Sequence, residues 1–162
     1  MLVPGLEAFK NSNVLVVCTT GGSQTEQLRK QYPQQNIIIE DFIPFDDIMP
    51  YADAYITNGG YGGVMLGIEH RLPMVVAGIN EGKNEICARI GYFQYGVNLK
   101  TETPTASQLY TAVNEVLRNP VYKKNIVQLG EEFDRYNPNE LTVKYVEELI
   151  GKSLVGAMQA RA

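Results

Sequence analysis

The chain has 162 residues, of which 44% are hydrophobic and 20% charged, a composition typical of one globular domain with a sizeable core. The net charge of −4 argues against a nucleic-acid partner, which would require a basic face. No apolar stretch approaches the ~20 residues of a membrane span and no signal-peptide pattern opens the chain, so we expect a cytoplasmic protein. Cys18 and Cys87 lie far apart in apolar stretches, which favours two reduced thiols over a disulfide.

Short β-branched runs alternate along the chain with segments of helical spacing. The predicted strands are residues 14–17, 36–39, 54–57, 74–77 and 95–98. The predicted helices are residues 23–32, a short turn after Pro44, and residues 64–69, 83–90, 106–117, 121–136 and 139–150. Ser23 is expected to cap the first helix and Gly151 to end the last. We therefore expect one domain over residues 1–151 and a loosely ordered tail over residues 152–162.

This repeated order of strand, loop and helix predicts a Rossmann-like α/β fold, a parallel sheet with helices on both faces. Ligands of such sheets bind at the carboxyl ends of the strands. The site is accordingly expected in the loops over residues 18–23, 41–46, 57–63 and 77–84.

The densest group of glycines lies in residues 57–63 (TNGGYGG), between the third predicted strand and a helix. Glycine permits positive φ and a close approach of the backbone to another group. The helix that follows directs its first amides and the positive end of its dipole at this loop. The pattern favours a diphosphate site over an empty tight turn. Its spacing differs from that of a P-loop and from the dinucleotide fingerprint.

Three segments, in order and spacing, resemble the C-terminal domain of the GT-B glycosyltransferases that use UDP- or dTDP-sugars, the family of macrolide and UDP-glucuronosyl transferases. Residues 41–44 (DFIP) resemble the family's aromatic-x-Pro segment. Residues 52–63 resemble its Ala-Asp…Thr-His-Gly-Gly-x-Gly-Thr segment, and residues 71–76 its Gly-Val-Pro-Met-Val-Val strand. Residues 82–89 fall where the family binds the sugar. The resemblance implies that this chain is one half of a GT-B fold.

The resemblance also implies roles for individual residues. Phe42 would stack on the nucleotide base, the alternative being one more core aromatic, and the backbone of Ile43 would bind the base edge. The residues expected to contact the diphosphate are Thr20, Gly21, Asn58, Gly59, Gly60, Gly62 and Gly63. Those expected to contact the sugar are Glu81, Lys83 and Asn84, which could instead form a solvated helix start. No catalytic residue, metal ligand or cofactor is expected in this chain.

Several positions depart from the family pattern. Asn58 replaces the usual histidine before the glycines and offers a neutral donor where the histidine can carry charge. Leu66 stands where a ribose-binding glutamate is common, and Glu69 lies at a different rotation on the helix. Lys83 occupies the second position of the usual Asp-Gln sugar pair. His70, the single histidine, is remote from the family's catalytic base and is expected to be structural.

These expectations describe the donor-binding domain of an inverting glycosyltransferase that transfers a sugar from a UDP- or dTDP-sugar to an acceptor hydroxyl without a metal. The acceptor, a small molecule or a lipid, would be held by an N-terminal domain or partner subunit, because residues 4–7 (PGLE) resemble the linker that enters the family's second domain. One alternative is a non-catalytic nucleotide- or protein-binding module, which Asn58 and Leu66 favour. Another is half of a GT-B sugar-nucleotide epimerase, with Glu81 and Glu85 as candidate acids.

Overall fold

A computed structural model describes residues 1–159 of the chain. It contains two compact units, residues 1–130 and the residues that follow. Within the described range, none of the helices is both long and apolar enough to cross a membrane.

Strands alternate with helices through the first unit. The strands are β1 Val16–Thr19, β2 Ile37–Glu40, β3 Tyr55–Thr57, β4 Met74–Val76 and β5 Gly96–Asn98. The helices are α1 Leu2–Phe9, α2 Thr25–Gln31, α3 Phe45–Ile48, α4 Tyr61–Glu69, α5 Lys83–Tyr92, α6 Ala106–Arg118 and α7 Pro120–Phe133, with a turn of 3-10 helix at Met49–Tyr51. The second unit contains the end of α7 and α8 Pro138–Gln159.

All strand pairs are parallel. Hydrogen bonds join β1 to β2 in one sheet and order the other sheet as β3-β4-β5. Val16 of β1 and Ile56 of β3 pack against the same hydrophobic cluster as Val75 of β4, so the two sheets share a core. The predicted α/β fold, with parallel strands flanked by helices, is confirmed.

β4 shows why helices cover both faces. Its three residues are fully buried, and successive side chains of a strand point to opposite faces. Met74 and Val76 pack with residues of α4, α5 and α7, namely Val64, Ile68, Cys87, Ile90 and Ile126. Val75 packs on the other face with residues of α1 and α6, namely Phe9, Leu109, Ala112, Val113 and Val116.

The linker expected at residues 4–7 is wrong, because these residues form the middle of α1. Leu6 and Phe9 are buried, Phe9 against α6 and Leu6 in a cluster with Leu28 of α2. Pro4 is compatible with this helix since it stands in the first turn, where backbone N–H groups have no partner within a helix.

Three predicted helix ends are also wrong. α2 begins after Gln24, which takes a left-handed φ of 60°, and Ser23 makes no cap. α4 begins at Tyr61, so its first turn includes two of the loop glycines. α8 continues through Gly151 to Gln159, because a glycine in mid-helix costs only about 1 kcal/mol relative to alanine. Residues 152–159 of the predicted tail therefore belong to a helix, and residues 160–162 lie outside the described residues.

Candidate functional site

The carboxyl ends of β1 to β4 lead into the loops that contain the predicted site residues. Parallel register places Thr19 beside Glu40 at one end of the first sheet and Thr57 beside Val76 at the corresponding end of the second. The loops that follow are residues 20–24, 41–44, 58–60 and 77–82. Each sheet therefore brings two of the predicted loops together at one edge.

The backbone of the β1 loop is already engaged by β2. Thr20 N donates to Glu40 O at 3.0 Å and Gly21 N donates to Asp41 O at 2.9 Å. The Thr20 hydroxyl lies 2.6 Å from the Thr25 hydroxyl and accepts the Gly22 amide at 3.2 Å. Because the Thr25 hydroxyl donates to the Asp41 carboxylate, the Thr20 hydroxyl donates its single proton to Thr25. The Thr20 and Gly21 amides and the Thr20 hydroxyl therefore all have partners within the chain.

Asp41 joins the β1 and β2 loops, a role that was not predicted. Its carboxylate accepts a hydrogen bond from the buried Thr25 hydroxyl, and its carbonyl accepts one from the Thr19 hydroxyl at 2.6 Å. These bonds hold the start of the segment that presents Phe42.

Phe42 is a surface residue with 77% of its area exposed. A Cβ placed on Gly22 would lie 3.8 Å from the ring carbon Cε2, so the ring edge borders the β1 loop. Gly22 itself has a φ of 82°, which glycine adopts most readily. The core-aromatic alternative for Phe42 is wrong, and the ring has an open face at the strand ends. Ile43, the next residue, is half-buried.

The four glycines of the glycine loop differ in backbone conformation and in position relative to α4. Gly59 alone among the four has positive φ, at 74°, whereas Gly60 is the extended N-cap residue of α4. Gly62 and Gly63 lie in the first turn of α4, whose amides have no partner within the helix. Asn58 Oδ1 accepts the Gly60 amide at 3.0 Å, so this side chain replaces one acceptor that a phosphate could supply.

Close packing holds the glycine loop against its neighbours. A Cβ on Gly59 would overlap the buried Sγ of Cys87 in α5. A Cβ on Gly78, after β4, would overlap the backbone carbonyl of Asn58. Both glycines are needed because neither approach leaves room for a side chain.

The loop between β4 and α5 carries the predicted sugar-binding residues. Lys83 Nζ lies 2.9 Å from the Glu81 carboxylate, and the Lys83 side chain is only 19% exposed. The hydrogen bond to Glu81, helped by the charges of Glu81 and Glu102, raises the pKa of Lys83, so this lysine is a fixed positive charge. Asn84 follows in the first turn of α5 and is exposed.

Glu102, after β5, was not predicted as a site residue. Its Oε1 accepts the Ile79 amide at 2.6 Å and the Asn80 amide at 2.8 Å. These two bonds, together with the charge of Lys83, lower the pKa of Glu102. The contact spans more than twenty residues of sequence, and no local pattern signals it.

Three positions singled out in the sequence lie in or just after the second half of α4, away from its first turn. His70 follows α4 with its side chain 13% exposed and Nε2 3.4 Å from Asp46 Oδ1. Leu66 is half-buried and Glu69 is exposed. Within residues 1–159, no group of three or more His, Cys, Asp or Glu side chains is arranged to hold a metal ion.

Known proteins resemble this chain over most of its length. A family model described as UDP-glucoronosyl and UDP-glucosyl transferase matches residues 16–151. UDP-glycosyltransferase 2 of Phaeomoniella chlamydospora is 34% identical over 152 residues, which are 92% of this chain and 33% of that protein. The 4'-demethylrebeccamycin synthase of Lentzea aerocolonigenes is 34% identical over 150 residues, which are 93% of this chain and 35% of that protein. The chain thus spans about a third of the length of the curated relatives it matches.

Solved glycosyltransferases share the fold. The structure of CalG4, the calicheamicin glycosyltransferase, aligns with a TM-score of 0.82 at 17% identity and covers 94% of this chain and 40% of that one. The glycosyltransferase VinC, solved in complex with dTDP, aligns with a TM-score of 0.79 at 18% identity and covers 94% and 38%. The resemblance seen in the sequence motifs is confirmed, and the chain belongs to the UDP-glucoronosyl and UDP-glucosyl transferase family.

Proposed function

We propose that this chain is the donor-binding domain of an inverting glycosyltransferase that takes a sugar from a UDP- or dTDP-sugar and passes it to an acceptor hydroxyl. Family membership supports the class of activity. Because the chain spans about a third of its relatives' length, the acceptor pocket and the general base are assigned to a separate N-terminal domain or partner subunit. The proposed acceptor is a small molecule or a lipid, and the proposed compartment is the cytoplasm.

The observation that carries the proposal is the exposed Phe42 ring at the carboxyl ends of the parallel strands. An aromatic ring that is open to solvent at the strand ends offers a flat apolar surface, and a planar base fits such a surface. Stacking of one base on one aromatic ring contributes about 1–3 kcal/mol. In this arrangement the half-buried Ile43 follows the ring, and its backbone would bind the base edge.

The diphosphate is assigned to the start of α4. The amides of Tyr61, Gly62 and Gly63 open this helix, and its dipole places partial positive charge there. In sugar transfer, negative charge grows on the diphosphate oxygens as the bond to the sugar breaks. Fixed donors directed at those oxygens lower the barrier because they need no reorganisation.

The sugar is assigned to Glu81, Lys83 and Asn84. The Glu81 carboxylate can accept hydrogen bonds from sugar hydroxyls, and the Asn84 amide can both donate and accept. Lys83, already paired with Glu81, orients that carboxylate for contact with the sugar hydroxyls.

Calorimetric titration with UDP, dTDP, ADP and GDP tests the proposal. UDP or dTDP should bind more tightly than the purine nucleotides, and Phe42→Ala should weaken that binding by roughly 5- to 150-fold, the range equivalent to 1–3 kcal/mol. Tyr51→Ala is the matched control, because Tyr51 is 87% exposed but stands just before β3, at the opposite end of that strand. Equal losses in the two variants, or no binding of UDP or dTDP by the unmodified chain, would refute the assignment.

A second candidate function is a nucleotide-binding module without catalysis. It is favoured by Asn58, whose side chain takes up the Gly60 amide and lacks the charge of the family histidine. UDP affinity that persists while sugar transfer stays undetectable in the complete protein would support this alternative. Restoration of transfer by Asn58→His would instead support the enzyme.

A further inference from the structure

The loop between β4 and α5 places one residue other than glycine in a backbone conformation that it does not favour. Glu81 has a φ of 57° and Gly82 a φ of 79°, so two successive residues are left-handed. For a residue other than glycine this conformation costs roughly 1–2 kcal/mol. The loop therefore needs contacts from outside to hold it.

Glu102 supplies such a contact from the segment after β5. Its Oε1 accepts the amides of Ile79 and Asn80, at 2.6 and 2.8 Å, immediately before the left-handed pair. Hydrogen bonds to a charged acceptor are stronger than those to a neutral one. Glu102 thus fixes the end of the loop that leaves β4, while the Asn80 carbonyl accepts the Lys83 amide at 3.0 Å at the other end.

The same carboxylate acts on the charged pair of the loop. The Lys83 ammonium is bound to Glu81 and also interacts electrostatically with the charge of Glu102. Gly78 permits this arrangement, since a Cβ there would lie 3.0 Å from Lys83 Cδ and 3.2 Å from Lys83 Cβ. The positions of Glu81 and Lys83 therefore depend on a loop that Glu102 holds.

We propose that Glu102 is a positioning residue that holds residues 79–83 in the conformation that recognises the donor sugar, so that it sets the preference for a nucleotide sugar over the free nucleoside diphosphate. The inference rests on the proposed function, because it takes Glu81, Lys83 and Asn84 as the sugar contacts. Phe42 and the start of α4 belong to other loops, so binding of the nucleotide itself is independent of Glu102.

The test compares the unmodified chain with Glu102→Ala, with Glu102→Gln, and with Glu131→Ala, which removes an exposed glutamate of α7. Amide hydrogen exchange at Ile79 and Asn80 reports the contact directly. In Glu102→Ala, exchange should be faster by about tenfold or more, the loss expected for hydrogen bonds to a charged acceptor. Glu102→Gln should restore most of the protection, because its amide oxygen accepts the same bonds, and Glu131→Ala should match the unmodified chain.

Titration with UDP and with UDP-glucose then shows whether Glu102 positions the sugar-binding loop or only stabilises the fold. UDP affinity should change by less than about twofold in every variant, whereas the ratio of UDP-glucose to UDP affinity should fall about tenfold in Glu102→Ala and recover in Glu102→Gln. An unchanged ratio, unchanged amide exchange, or no recovery in Glu102→Gln would overturn this inference while leaving UDP binding intact. Absence of UDP binding by the unmodified chain would overturn the proposed function, and this inference with it.

Discussion

Replacement of Gly59 by alanine should destabilise the protein through two separable effects. Gly59 has a φ of 74°, a conformation that costs alanine roughly 1–2 kcal/mol. The new methyl group would also overlap the Sγ of Cys87, which is fully buried and cannot move into solvent. Overpacking of this kind costs about 1–3 kcal/mol. Together they predict a loss of about 2–5 kcal/mol, to be measured from urea unfolding followed by circular dichroism.

Two further variants separate the backbone strain at Gly59 from the steric overlap with Cys87. Gly62→Ala is the matched control in the same loop, because a Cβ there meets nothing within 4 Å, and it should be neutral or stabilising by up to about 1 kcal/mol. In a Cys87→Ala background the nearest remaining atoms to the Gly59 methyl lie 3.9 Å away, so Gly59→Ala should cost only the strain. The double-mutant cycle formed by Gly59→Ala and Cys87→Ala should therefore yield a coupling free energy of about 1–3 kcal/mol. A Gly59→Ala cost equal to that of Gly62→Ala, or equal in the two backgrounds, would refute the reasoning.

Three other changes test single contacts. Because the pKa of Glu102 is lowered from 4.5, its contribution to stability is present above that value and is lost as the pH falls through the folded-state pKa. The urea concentration at the midpoint of unfolding should therefore fall less for Glu102→Gln than for the unmodified chain when the pH is lowered from about 7 to about 3. Burial and the hydrogen bond to Glu7 raise the pKa of Tyr32 from 10.0 to about 12, so stability is lost as the pH rises through that interval. Tyr32→Phe should therefore lose less stability above pH 10.0 than the unmodified chain, measured as the urea concentration at the midpoint of unfolding. Thr105 and Gln108 form a capping box at the start of α6, and Thr105→Ala should cost about 1 kcal/mol in thermal or urea unfolding.

Local sequence patterns predicted the elements that surround the site. The apolar runs at residues 36–39, 54–57 and 74–77 correspond to β2, β3 and β4 within one or two residues. These runs are readable because a strand buried on both faces must be apolar throughout. The order of strands and helices then placed the candidate loops at one edge of each sheet, as parallel pairing requires.

Where local composition was ambiguous, tertiary packing decided. Residues 4–7 resembled the family's linker, yet α1 forms because Leu6 and Phe9 are buried by partners far along the chain. Gly151 suggested a helix end, yet α8 continues through it. Glycine and proline are weak signals at such positions, since the contacts of their neighbours outweigh a propensity of about 1 kcal/mol for glycine, and proline is tolerated in a first turn.

The family, the α/β fold and the loops of the candidate site followed from the sequence alone, because residue type and spacing encode them within segments of ten or twenty residues. The role of each residue inside the site did not follow from the sequence alone. The absence of room for a side chain at Gly59 depends on Cys87 beneath it, and the shape of the sugar loop depends on Glu102 after another strand. Such contacts join residues that the fold brings together across long stretches of chain. Only the packed tertiary structure specifies them, because no periodic pattern links the two partners.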